Sequence, residues 1–144
     1  MTITAIAEVL GGRKALGKEI ETSSDLAKAT RAGLSIHSLD TLAQELSMPR
    51  VAAAKLLGIS ERALSRRATS NSRLTAPESD RIVRLARILA LAKETLGNGD
   101  KASRWLQTSN RALEGDKPIE RLDTDIGVRS VEQVLGRIEY GLYS

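Results

Sequence analysis

The apolar residues of this chain recur at intervals of three and four, which points to helices packed through one face. Leu39, Leu42, Ala43 and Leu46 stand at i, i+3, i+4 and i+7, so one side of a helix carries all four while Asp40, Gln44 and Glu45 are predicted to face water. Val128, Val131, Val134, Leu135 and Ile138 form a comparable stripe in a last helix predicted to stop near Gly141. No alternating strand of useful length is found, so the expected fold class is all-α. Apolar residues make up 41% of the 144, with one Trp, two Tyr and no Phe. Leu, Ile, Val and Ala must therefore fill a core of one compact domain or two small ones.

Between these stripes, glycine, proline and capping residues divide the chain. Ile6, Val9 and Leu10 form a short stripe that stops at Gly11 and Gly12, and Leu16 and Ile20 are assigned to a second short element. Ser24 is predicted to cap Asp25 to Ala32, with Gly33 as terminator. Pro49 fits the first turn of a helix that ends at Gly58. Thr75 and Glu78 have capping-box spacing at the head of a long helix running to about Leu96. Asp100 is assigned as the cap of a short segment holding Ala102, Trp105 and Leu106, with Trp105 read as a core anchor. Gly115 to Pro118 and Asp123 to Gly127 are read as turns flanking brief helices.

The most informative local pattern is Ala54, Gly58, Ile59 and Leu64, which has helix-turn-helix spacing. Ala54 lets two helices cross closely, Gly58 supplies a turn conformation costly for other residues, and Ile59 and Leu64 pin the second helix. That helix, capped by Ser60, would turn Glu61, Arg62, Ser65, Arg66 and Thr69 outward, with its N-terminal end directed at a major groove. Arg62 and Arg66 are the candidates for base or phosphate contacts, because guanidinium forks match guanine edges and phosphate oxygens. Glu61 and Ser65 could add to readout. Arg67 occupies a position where an apolar residue is usual, which leaves a phosphate contact or a salt bridge to Asp80. An ordinary two-helix corner on a basic surface is the alternative.

Charge distribution agrees with a phosphate-facing surface. Residues 1–97 hold 15 Lys and Arg against 10 Asp and Glu, and residues 98–144 hold 7 against 8. Arg50, Lys55, Arg62, Arg66, Arg67 and Arg73 crowd one stretch with a single acid, Glu61. The absence of cysteine excludes disulfides, thiolate catalysis and cysteine zinc sites, and favours a reducing cytoplasm. The first ten residues do not read as a signal peptide, and charges interrupt the most apolar stretch, Ile82 to Leu96, so no membrane span is expected.

Taken together, Val9-Leu10-Gly11-Gly12, Arg31-Ala32-Gly33-Leu34, Leu57-Gly58-Ile59-Ser60, Arg66-Arg67, Glu78-Ser79-Asp80-Arg81, Arg84-Leu85-Ala86-Arg87, Trp105-Leu106 and Leu135 to Gly141 resemble the Xre/MbcA/ParS-type antitoxins. More narrowly, the chain is similar to the Xre-like partners of RES-domain toxins. The resemblance implies a helix-turn-helix region, residues 1–97, and a smaller helical toxin-binding region, residues 98–144. It also implies repression of the protein's own operon and neutralisation of an NAD-degrading toxin. The end of the chain would lie at the toxin's active-site pocket, which carries over to Arg137, Tyr140, Gly141, Leu142, Tyr143 and Ser144. The expected partners are a RES-domain toxin, operator DNA and a second copy in a homodimer. A plain dimeric helix-turn-helix repressor without a toxin is the alternative reading.

Other patterns lead to no site. Gly12 to Glu19 nearly spells a phosphate-binding loop, but Glu19 stands where a magnesium-holding hydroxyl is required and no strand precedes it. His37 is the single histidine and has no catalytic partner at local spacing. Asp123 and Asp125 are two carboxylates, too few for a cation site. No catalysis, cofactor or metal is expected.

Overall fold

A computed structural model of the chain describes residues 1–70 and 73–141. Among them the regular structure is helical, with no strand, which makes the protein all-α. They fall into two compact units, Met1–Ala86 and Arg87–Ser144. No helix is long and apolar enough to cross a membrane among the described residues.

The first unit begins with α1 (Ile3–Val9), capped by the Thr2 hydroxyl, and α2 (Gly12–Leu16). Ile20, expected in the second element, lies beyond α2 because Gly17 ends that helix with φ 78°, yet the loop still buries it. In α3 (Ser23–Ala32) the cap is Thr22 rather than Ser24. The reason is Asp25: its carboxylate accepts from the Glu21 and Thr22 amides, both at 3.1 Å, while the Thr22 hydroxyl accepts from the Asp25 amide at 3.1 Å. That reciprocal box requires Asp25 at the third helical position. The same backbone hydrogen bonds, Glu21 first, hold the Asp25 carboxyl below its ordinary value.

The four residues of the first stripe, Leu39, Leu42, Ala43 and Leu46, are buried in and just after α4 (Ile36–Glu45). Asp40 does not face water as expected. It is half-buried against the guanidinium of Arg50, which donates from Nη2 to Oδ2 at 2.6 Å and ties α4 to α5 (Arg50–Leu56). His37 stands exposed at the start of α4. The next helices are α6 (Glu61–Ser70) and α7 (Ala76–Leu96). The predicted box at the head of α7 is present: the Thr75 amide donates to Glu78 Oε1 at 2.8 Å, and the Glu78 amide to Thr75 Oγ1 at 3.2 Å. Ser79, fully buried, accepts from the Leu34 amide at 2.8 Å, so the α3–α4 connection is stitched to α7. Burying that hydroxyl is tolerable because it is hydrogen-bonded.

The second unit takes up α7 from Arg87 onward, followed by α8 (Gly99–Leu106), two 3-10 turns at Arg111–Leu113 and Pro118–Arg121, and α9 (Asp125–Glu139). Asn98 caps α8, accepting from the Lys101 amide at 2.9 Å, which puts Asp100 inside the first turn instead of at the cap. Leu106 is fully buried, whereas Trp105 is half-buried and not the core anchor expected. Val128, Val131, Val134 and Leu135 seat α9 in its unit. Gly127 has to be glycine, because a Cβ there would lie 1.8 Å from the Arg121 carbonyl oxygen. Arg87 Nη2 reaches Glu132 Oε1 at 2.8 Å, tying α7 to α9 within this unit.

Candidate nucleic-acid interface

The corner between α5 and α6 is built as its residues require. Ala54, in the last turn of α5, is 1% exposed, which permits close crossing, and its carbonyl accepts the Ile59 amide at 2.9 Å across the turn. Gly58 has φ 72°, a left-handed conformation that costs other residues roughly 1–2 kcal/mol. A Cβ at Gly58 would also meet Arg81 Nη1 at 2.9 Å. Ile59 and Leu64 are buried on either side of Ser60, whose hydroxyl caps α6 by accepting the Ala63 amide at 3.1 Å.

With Leu64 turned inward, Glu61, Arg62, Ser65, Arg66 and Thr69 are all exposed on α6. Ser60, at its head, is exposed as well. Arg62 and Arg66 stand one helical turn apart and are in no ion pair among the described residues. The hydroxyl of Thr69 donates to the Ser65 carbonyl at 2.9 Å and keeps its acceptor capacity.

Arg67 is placed differently from its neighbours. Its side chain is 14% exposed and pairs with Glu78, not with Asp80, which binds Arg84 Nη2 at 3.3 Å instead. Burial pushes the Glu78 carboxyl up, but hydrogen bonds from Arg67 and from Thr75, with the nearby positive charge, outweigh it and leave the carboxyl below its ordinary value. Glu78 therefore caps α7 and holds the back of α6 with one carboxylate.

Arg81 was not singled out by the sequence. Its Nη1 donates to the Leu57 carbonyl, at the end of α5, from 24 residues away. No local spacing pointed to it, although it stands three residues after Glu78 on α7. Of the basic cluster, Arg50 is spent on Asp40, Arg67 on Glu78, and Arg73 on the Gly33 carbonyl at 2.9 Å. Lys55, Arg62 and Arg66 remain exposed without an ion pair among the described residues.

In the second unit, Arg137, Tyr140 and Gly141 are exposed at the end of α9, Tyr140 by 79%. Leu142, Tyr143 and Ser144 lie outside the described residues. Gly12 opens α2 with no strand before it, and Asp123 and Asp125 are exposed at the head of α9. Among the described residues no group of three or more acidic or imidazole side chains could hold a metal.

Two known families match successive parts of this architecture. Residues 25–87, which contain most of α3, all of α4 to α6 and the head of α7, match the antitoxin Xre-like helix-turn-helix domain. Residues 91–141 match the antitoxin Xre/MbcA/ParS C-terminal toxin-binding domain. The chain is 31% identical over 131 residues to an antitoxin Xre of Yersinia enterocolitica, spanning 90% of this chain and 88% of that protein. It is 37% identical over 91 residues to an antitoxin Xre of Photorhabdus laumondii, spanning 62% of each. A third antitoxin Xre, from Pseudomonas putida, is 38% identical over 80 residues, which are 56% of this chain and half of that one. The chain therefore belongs to the Xre-type antitoxins, binding proteins and not enzymes, with a helix-turn-helix region followed by a C-terminal toxin-binding region.

Proposed function

We propose that this antitoxin represses its own operon by setting α6 in the operator's major groove, and neutralises a RES-type, NAD-degrading toxin by direct binding through its C-terminal segment. The observation that carries the DNA reading is the pair Arg62 and Arg66, exposed side by side and outside every ion pair among the described residues. Free guanidinium groups on one helical face are equipped for guanine edges and phosphates. Ser60, Glu61, Ser65 and Thr69 share the exposed side of the helix. Arg67 contributes from behind, by fixing α6 to α7 through Glu78. A homodimer reading two half-sites suits such a module.

Residues 1–97 carry operator recognition in this reading, and residues 98–144 carry toxin recognition. Arg137, Tyr140 and Gly141 lead Leu142, Tyr143 and Ser144 towards the toxin's active-site pocket. A tail carried by a rigid helix loses less freedom on docking than a free one, and its two tyrosines offer apolar area with a polar tip. Both activities belong in the cytoplasm and need no cofactor. The test is coexpression with the neighbouring reading frame: that frame alone should arrest growth and deplete NAD, and this protein should prevent both. A neighbour that is harmless, or lethal despite this protein, would overturn the RES-toxin assignment.

A further inference from the structure

The outer face of α9 carries features that packing among the described residues does not account for. Ile126, Gln133 and Tyr140 recur seven residues apart, with Gly136 and Arg137 between the last two, so they share one helical face. Val128, Val131, Val134 and Leu135 occupy the buried side. Ile126 and Tyr140 are 78% and 79% exposed, the most of any large apolar side chains among the described residues. They stand about 21 Å apart along the axis, from the ordinary rise of a helix.

Gly136 sits in the interior of α9, where glycine is the least favourable residue after proline. At Gly127 a close approach explains the glycine; at Gly136 a Cβ would meet nothing within 4 Å, and the backbone is not left-handed. Among the described residues, neither packing nor backbone conformation asks for glycine there. A bare stretch of helix does let another molecule come close.

We infer that the outer face of α9, from Ile126 to Tyr140, is a docking surface for the toxin, with Ile126 as an apolar anchor and Gly136 as a notch that seats a protruding side chain. This rests on the toxin-binding reading above and adds where the toxin sits. The matched toxin-binding region, residues 91–141, contains the whole of α9. A stable interface uses roughly 20–30 residues on each side, far more than a five-residue tail provides, so further surface is required. The face of α9 is continuous with that tail at Tyr140. Arg129 is engaged by Asp125 at 3.0 Å, whereas Arg137 has no ion pair among the described residues, so an acidic group of the toxin fits beside Arg137.

The test uses the full chain and the purified toxin encoded beside its gene. Gly136→Gln should leave operator binding unchanged and the thermal midpoint equal or higher, since glutamine favours helix, while affinity for the toxin falls by about tenfold or more. Ile126→Ala should weaken toxin binding in the same way, and Arg111→Ala, on an exposed turn of the same unit, should not. If the wild type binds and both stripe variants bind as well as it does, this surface is wrong and the toxin-binding reading stands. If the variants instead lose a wild-type dimer mass and keep toxin affinity, the stripe belongs to a second copy and the inference is overturned. A wild-type chain that does not bind that toxin overturns the pairing and the surface together.

Discussion

Arg67 of α6 and Glu78 of α7 form an ion pair whose side chains are only 14% and 13% exposed, and the same carboxylate receives the Thr75 amide that starts α7. The orientation of α6 is therefore tied to the capping of the helix behind it. A residue that belongs in the sequence to one basic cluster with Arg62 and Arg66 holds α6 against α7.

Removing either partner leaves a largely buried charge without its mate. Arg67→Met or Glu78→Gln should each lower unfolding free energy by about 1.5–3 kcal/mol, the range for hydrogen bonds to charged groups. The slope of operator affinity against salt should not change in Arg67→Met, because a guanidinium spent on Glu78 neutralises no phosphate. Urea unfolding and gel-shift titrations at several salt concentrations measure the two effects. A salt slope reduced by about one unit in Arg67→Met would place that guanidinium on the DNA backbone.

The pH dependence follows from the direction of the Glu78 shift. Its carboxyl is held below the ordinary 4.5, so the folded state binds that proton less readily than the unfolded chain. The stabilisation is present above that value and is lost as pH falls through the lower, folded value. Thermal midpoints of the wild type should thus drop more steeply than those of Glu78→Gln as pH falls below the ordinary 4.5. Parallel curves would show that this carboxylate does not contribute.

Arg62 and Arg66 should behave in the opposite manner to Arg67. Arg62→Ala and Arg66→Ala remove exposed side chains without an ion pair among the described residues, so the thermal midpoint should stay within experimental scatter. Operator affinity should fall, and the salt slope should decrease by about one unit for each phosphate that the missing guanidinium would have neutralised. Wild-type affinity in both variants would remove α6 from the interface.

Deleting residues 140–144 should separate the two proposed activities. Tyr140 and Gly141 are exposed and the core residues of α9 end at Leu135, so the fold and operator binding should persist. Protection against the toxin should be lost, read as growth on coexpression. Full protection by the shortened chain would move the inhibitory contact elsewhere.

Much of the architecture was legible because it rests on short-range rules. The stripe Leu39 to Leu46, the Thr75–Glu78 box and the corner at Gly58 depend on residues within one or two helical turns of each other, and periodicity and steric cost act at that range. Caps were harder. Thr22 and Asn98 replaced Ser24 and Asp100 because several adjacent residues could have capped, and the choice depended on which amide each side chain could reach.

What the amino-acid order determined by itself was the helical class, the helix-turn-helix corner and the outward set on α6, since each follows from local spacing and the handedness of a helix. Tertiary structure alone decided which cations stay available to a ligand. Asp40, Glu78 and the Leu57 carbonyl claim Arg50, Arg67 and Arg81 from positions 10 to 24 residues away. Such pairings depend on where folded helices bring charges together, a distance that sequence separation does not encode.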